Sequence, residues 1–233
     1  MTICVYALVS PPPTRLGLTG MAGEKLRVVS VSRIAAVIGE MRRAPAPTVR
    51  NLRRYAAVVE AIAAKVPAIL PARFATTVVD RDELTFILTS RSAALRRRLR
   101  SVRARCQMTI RMLGMLGSDP GDAPFRGQTP VMPRTGVRPR NGATQGTQYL
   151  QQRMATAMRG RAIPAFEPIR AAVGRFVKDE RVEKRADVVT VNHLVSRTAV
   201  TRYRAAVTRA AGENHLRLMV SGPWAPYAFA DNW

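Results

Sequence analysis

Cysteine and histidine are nearly absent: Cys4, Cys106, His193 and His215 are the only ones in 233 residues. With no CxxC and no Cys/His cluster, neither a disulfide framework nor a structural zinc site is supported. Acidic residues are scarce as well, and none occurs between Glu83 and Asp119 or between Asp122 and Glu167. Paired carboxylates for general acid–base chemistry are therefore hard to assemble. Gly17, Gly20, Gly23 and Lys25 have the wrong spacing for a phosphate loop, and Leu26 stands where a hydroxyl residue is needed. There is no G-x-S-x-G motif, and Ser221-Gly222 sits beside a proline. A Cys4–His193 or Cys106–His215 dyad stays open, although nothing marks either thiol as activated. The chain is expected not to be an enzyme and to need no cofactor and no metal.

Long apolar runs are missing too. No charge-free stretch approaches the ~18 residues of a membrane-spanning helix. The run Thr2–Val9 lacks a basic leader and a small-residue cleavage site, and Pro11-Pro12-Pro13 ends it. An intracellular, soluble protein is expected.

Positive charge is in excess: 38 Lys and Arg face 15 Asp and Glu, a formal +23 with a pI near 11.7. Such a balance normally points to a polyanion. Yet only Lys25, Lys65, Lys178 and Lys184 are lysines, and an Arg/Ala-rich, Lys-poor composition also follows from a GC-rich genome. The densest basic run is Arg91 to Arg111, with eight arginines and no acid. On a helix, Arg96, Arg97 and Arg100 share the side opposite Leu95 and Leu99. They would make a phosphate-binding stripe, or simply a solvated face; stacking aromatics are missing from it.

With 47% hydrophobic and 23% charged residues, the composition is that of an ordinary globular chain, with room for one large or two small domains. Residues 2–9 read as a buried strand, followed by strands at 26–32 and 34–38. Thr48 caps a helix over 49–65 that Pro67 stops. An apolar strand begins at Ala68, and Asp80 with Glu83 opens a helical region carrying Leu84, Ile87, Leu88, Leu95 and Leu99. Cys106, Met108, Ile110 and Met112 alternate with Arg105, Gln107, Thr109 and Arg111, the period of a half-buried strand. Residues 114–147 read as a linker. Helices at 149–158 and 165–184, a strand at 187–195, a helix at 198–211 and a strand at 216–220 follow. This is an α+β pattern of two small domains, 1–113 and 148–233. The last 12 residues hold four of the 13 aromatics, and they are expected to dock on the C-terminal domain.

Several segments, in order along the chain, are similar to gas vesicle proteins of the GvpL/GvpF type. Val5-Tyr6-Ala7-Leu8-Val9, Gly17-Leu18-Thr19-Gly20 and Ala35-Ala36-Val37-Ile38 resemble the start of that family. Leu70-Pro71-Ala72-Arg73-Phe74-Ala75-Thr76 resembles its Leu-Pro-x-Arg-Phe-Gly-Thr, with Ala75 at the usual glycine. Gly146-Thr147-Gln148-Tyr149-Leu150 is similar to Gly-x-Glu-Tyr-Leu, with Gln148 for the acid, and Val189–Val195 resembles a strand of the second half. Gly222-Pro223-Trp224-Ala225-Pro226-Tyr227-Ala228-Phe229 resembles the closing Gly-Pro-Trp-Pro-Pro-Tyr-x-Phe.

The resemblance implies a ferredoxin-like C-terminal half and a non-enzymatic accessory protein. Its implied partners are the small hydrophobic shell protein and other gas vesicle accessory proteins. Arg73, Phe74, Tyr149, Trp224, Tyr227 and Phe229 are the partner-binding candidates it carries over, with burial in the core as their other reading. A basic RNA- or nucleoid-binding module using Arg96, Arg97 and Arg100 is the alternative.

Overall fold

Residues Thr2–Ser10 form β1, and every side chain from Cys4 to Val9 is fully buried. The computed structural model of the chain describes residues 2–31, 33–113, 163–185 and 188–230. The expected linker at 114–147 and helix at 149–158 lie outside them. Strand β1 pairs antiparallel with β3 (Ile34–Met41) on one side and with β4 (Ala68–Pro71) and β5 (Thr77–Val78) on the other. Strand β2 (Arg27–Val31) lies outside β3, giving the order β2-β3-β1-β4. A bulge between Val5 and Ala7 shifts the register by one residue, so the inward faces exchange along the strand. Ile3, Val5 and Leu8 point into one core, whereas Cys4, Tyr6 and Val9 point into another.

Helix α1 (Val49–Lys65) covers the second of these cores. Its cap is as expected, with the Thr48 hydroxyl accepting from the Asn51 amide at 3.2 Å. Tyr55, Val59 and Ile62 are buried, but Leu52 of the same stripe is 44% exposed. The opposite core is covered by α2 (Arg81–Ser90) and α3 (Ser92–Val102), which break at Arg91 where a single helical region was expected. Asp80 accepts from the Glu83 amide at 2.8 Å, and the Glu83 carboxylate accepts from the Val79 amide at 2.7 Å. That reciprocal pair satisfies the Glu83 amide in the first turn and the Val79 amide just before the cap.

The second sheet has the order β7-β8-β6-β9, all antiparallel, from β6 (Arg105–Leu113), β7 (Val177–Arg185), β8 (Val188–Ser196) and β9 (Leu218–Trp224). Strand β6, expected within the N-terminal domain, is thus a central strand of the second sheet. With α4 (Glu167–Val173) and α5 (Val200–Glu213), the described elements run β6-α4-β7-β8-α5-β9. The ferredoxin-like arrangement that the resemblance implies has strands and helices in this same sequence.

One expected helix is a strand in its second part. The helix over 165–184 ends in short turns around α4, and Val177–Arg185 is β7. Seven of its nine residues are charged, a composition that reads as helix but also suits an edge strand, which charges protect from further pairing.

Helices α4 and α5 cover one face of this sheet through Ile169, Tyr203 and Val207, joined by Phe166 from the turn before α4. His193 points into this core and is fully buried, with Nδ1 2.7 Å from the Tyr203 hydroxyl and Nε2 2.9 Å from Glu180 Oε2. Arg170 donates to Glu180 at 3.0 Å. Burial works to raise the Glu180 carboxyl, but hydrogen bonds from His193 and Arg170 outweigh it and hold it down at about 2.

The aromatic tail docks on both halves: Trp224 ends β9 of the second sheet and the Ala228 amide donates to Gln107 of β6, while its other residues reach the first sheet. Ala225 joins the core under α1, while Phe229 and Ala230 join the core under α2 and α3 together with Leu194 of β8. The tail therefore bridges the two sheets and touches the outer strand β4 of the first. The cause is chemical: beyond Leu194, the second sheet's remaining face carries Gln107, Thr109, Arg111, Thr190 and Asn192, so most of the apolar bed for the tail comes from the first sheet.

Candidate functional site

The segment after β4 turns sharply. The Ala72 amide donates to Tyr6 O at 2.9 Å, and the Val5 amide donates to Thr76 O at 2.9 Å, pinning both ends to β1. Between them Ala75 has φ +61°, in the left-handed region that favours glycine. The turn pushes Arg73 into solvent and sets Phe74 edge-on to Tyr55, with centroids 5.4 Å apart. Tyr55 stacks on Tyr6 at 5.2 Å, and its hydroxyl donates to Ala72 O at 2.9 Å. Burial pushes the Tyr55 hydroxyl well above its ordinary range.

The closing segment reaches the same place from the other end of the chain. Gly222 has φ +109°, and a Cβ there would lie 2.6 Å from Gln107 O, so only glycine fits. Trp224 is then left 46% exposed and Tyr227 37% exposed. Phe74, Trp224, Tyr227 and Leu52 line one side of a cleft of about 1100 Å³ between the two sheets.

The cleft floor is the polar face of the second sheet. Its cross-strand rows run Gln107/Leu194, Thr109/Asn192 and Arg111/Thr190. Leu194 belongs to the first sheet's core, so the floor grades from apolar to charged as the cleft opens. Gln107 Nε2 donates to Asn192 Oδ1 at 2.9 Å, and Thr109 Oγ1 donates to the same oxygen at 2.8 Å. The Ala228 amide donates to Gln107 Oε1 at 2.8 Å.

Of the residues expected to bind a partner, Arg73, Phe74, Trp224 and Tyr227 line this cleft. Phe229 is core, only 6% exposed, and Tyr149 lies outside the described residues. Arg96, Arg97 and Arg100 are exposed on α3, opposite buried Leu95 and Leu99, and none lines the cleft. Sequence reasoning missed Gln107, Thr109 and Asn192: the period-two pattern of β6 gave their face, and solvent was the simplest thing for it to meet. The two thiols are inert in character. Burial pushes Cys4 up to about 12, and Cys106 is raised by burial as well.

The model of the family described as "Gas vesicle synthesis protein GvpL/GvpF" matches residues 2–231. Gas vesicle protein F of Streptomyces sp. (strain CB03234) is 25% identical over 228 residues, which cover 94% of this chain and 93% of that protein. Among solved structures, gas vesicle protein GvpF from Anabaena sp. PCC7120 superposes with a TM-score of 0.71 at 15% identity, covering 100% of this chain and 97% of that one. Gas vesicle protein GvpF from Microcystis aeruginosa also gives 0.71 at 15% identity, covering 99% of each chain. These two likenesses speak to the fold.

Proposed function

The chain belongs to the GvpL/GvpF family of gas vesicle synthesis proteins, and we propose that it serves as a non-enzymatic accessory protein of vesicle formation. In this reading it is an assembly factor or minor structural component in the cytoplasm and at the vesicle, contacting the small hydrophobic shell protein or other accessory proteins. One observation carries the proposal: Arg73 and Phe74, from one motif, and Trp224 and Tyr227, from another far along the chain, meet at one open cleft. An exposed tryptophan beside a tyrosine and an arginine is the composition of a protein-binding hot spot. A hydrophobic shell subunit must be shielded before it joins a wall, and an aromatic cleft can hold part of it.

Burial raises both thiols, so neither cysteine has the character of an activated nucleophile. The exposed triplet Arg96, Arg97 and Arg100 supports a second reading, a basic RNA- or nucleoid-binding module. Capture of the tagged protein from its host, with nuclease and moderate salt, separates the two. Recovery of the shell protein or other vesicle proteins is expected. Recovery of only ribosomal or nucleoid material that nuclease removes would overturn the proposal.

A further inference from the structure

The orientation of one amide sets what the cleft can accept. Because the Ala228 N–H occupies Gln107 Oε1, the Gln107 NH2 must face Asn192. Asn192 answers with its carbonyl oxygen, which accepts from both Gln107 and Thr109. Its own NH2 is left as a donor, and no buried side-chain nitrogen or oxygen among the described residues lacks a partner. That NH2 therefore opens on the cleft that Asn192 lines.

Three arginines face the same space, and Arg185 is paired with Glu183. Arg73 comes from the first sheet's side and Arg111 from the floor, and neither forms an ion pair with a carboxylate among the described residues. The acid in the lining is Glu183, and it lies 3.8 Å from Arg185. The other side is apolar, with Leu52, Phe74 and Trp224. Donors, cations and rings lining one cleft call for a ligand that carries both an anion and a hydrocarbon group. The volume, about 1100 Å³, is above the usual range for small-molecule pockets.

We propose that the cleft seats a short extended segment of a partner protein, with a carboxylate on Arg73 and Arg111 and an apolar side chain against Phe74 and Trp224. The proposal rests on the protein-contact reading above and specifies the partner's chemistry. Guanidinium groups pair with carboxylates through two parallel hydrogen bonds, and the Asn192 NH2 can donate to the segment's backbone carbonyl. A nucleic acid is the poorer fit, because the Glu183 carboxylate lines the cleft and the exposed arginine stripe of α3 lies outside it.

The test uses the full chain and a fluorescein-labelled peptide of about ten alternating Glu and Leu residues, long enough to span the cleft when extended. Anisotropy is read at about 0.15 M salt, where long-range attraction to the basic surface is screened. Saturable binding is expected, and the matched Gln/Leu peptide is expected to bind at least about tenfold more weakly. Arg73→Gln with Arg111→Gln, both exposed positions, is expected to weaken the Glu/Leu peptide about tenfold while leaving the thermal melt unchanged. Arg96→Gln with Arg97→Gln and Arg100→Gln removes more charge but is expected to change binding less than about twofold.

No saturable binding, equal binding of the Gln/Leu peptide, or equal losses in the two sets of variants would overturn the proposal. So would oligouridine RNA that competes as well as unlabelled Glu/Leu peptide. If the peptides fail while vesicle proteins are still captured, the carboxylate chemistry is wrong and the accessory function stands. If the peptides bind and no vesicle protein is captured, the function fails and the cleft chemistry stands.

Discussion

The backbone amide of Ala225 donates to Glu60 Oε1 at 2.8 Å, tying the closing segment to α1 across 165 positions of sequence. Burial raises the Glu60 carboxyl above its ordinary value, against the Ala225 amide and the Arg197 charge, which lower it. A raised carboxylate favours the folded state below its unfolded pKa and loses that advantage as pH rises through the folded one. Glu60→Gln keeps an acceptor without the buried charge and is expected to be at least as stable as the parent at pH 7. Glu60→Ala leaves the amide unpaired and is expected to lose about 1–3 kcal/mol in urea unfolding.

Gly222 is the hinge of that closing segment. Gly222→Ala places a Cβ against Gln107 O in a backbone region that side chains rarely adopt. A loss of about 2 kcal/mol or more is expected, with Trp224 fluorescence shifting as the tail moves. An unchanged urea midpoint would contradict the geometry.

Ala75 sits at φ +61°, where glycine costs least. Ala75→Gly is expected to stabilise the chain by about 0.5–1 kcal/mol, a higher urea midpoint at constant m-value. The resemblance of residues 70–76 to a motif with glycine at this place thus has a physical cause in the turn.

The Glu180 carboxyl is held at about 2 despite burial, so its ionised form stabilises the fold. That contribution is fully present above its unfolded pKa, near 4.5, and is lost as pH falls toward 2. Its side chain is 16% exposed, and the loss is no more than about 3 kcal/mol. Glu180→Gln is expected to flatten this acid limb in unfolding measured from pH 6 to pH 2. An unaltered limb would show that the His193 and Arg170 contacts do not hold the carboxylate.

Legibility in the sequence followed how local each signal was. The Thr48 cap, the stop at Pro67 and the alternation in β6 depend on neighbours in sequence, and they match the structure. Strand β7 did not show itself, because its charged residues fit a solvated helix and its pairing partner β8 decides the matter. The docking of the tail depends on which sheet face is apolar, a fact fixed only when both sheets exist. The motif residues of the cleft could be named from the sequence, but Asn192 and Gln107 could not, since their roles arise from one cross-strand row and one tail amide.

The cleft's role is tested most directly by repeating the nuclease-treated capture with three proteins. Trp224→Ala with Tyr227→Ala removes exposed rings and is expected to keep the parent's melt while losing at least about tenfold of the captured vesicle proteins. Phe229→Ala empties a core position and is expected to lose about 3–5 kcal/mol of stability, which marks what a folding defect looks like in the same assay. The parent provides the reference yield. Capture of vesicle proteins that survives loss of both exposed rings, in a chain that melts like the parent, would contradict the assignment of this cleft.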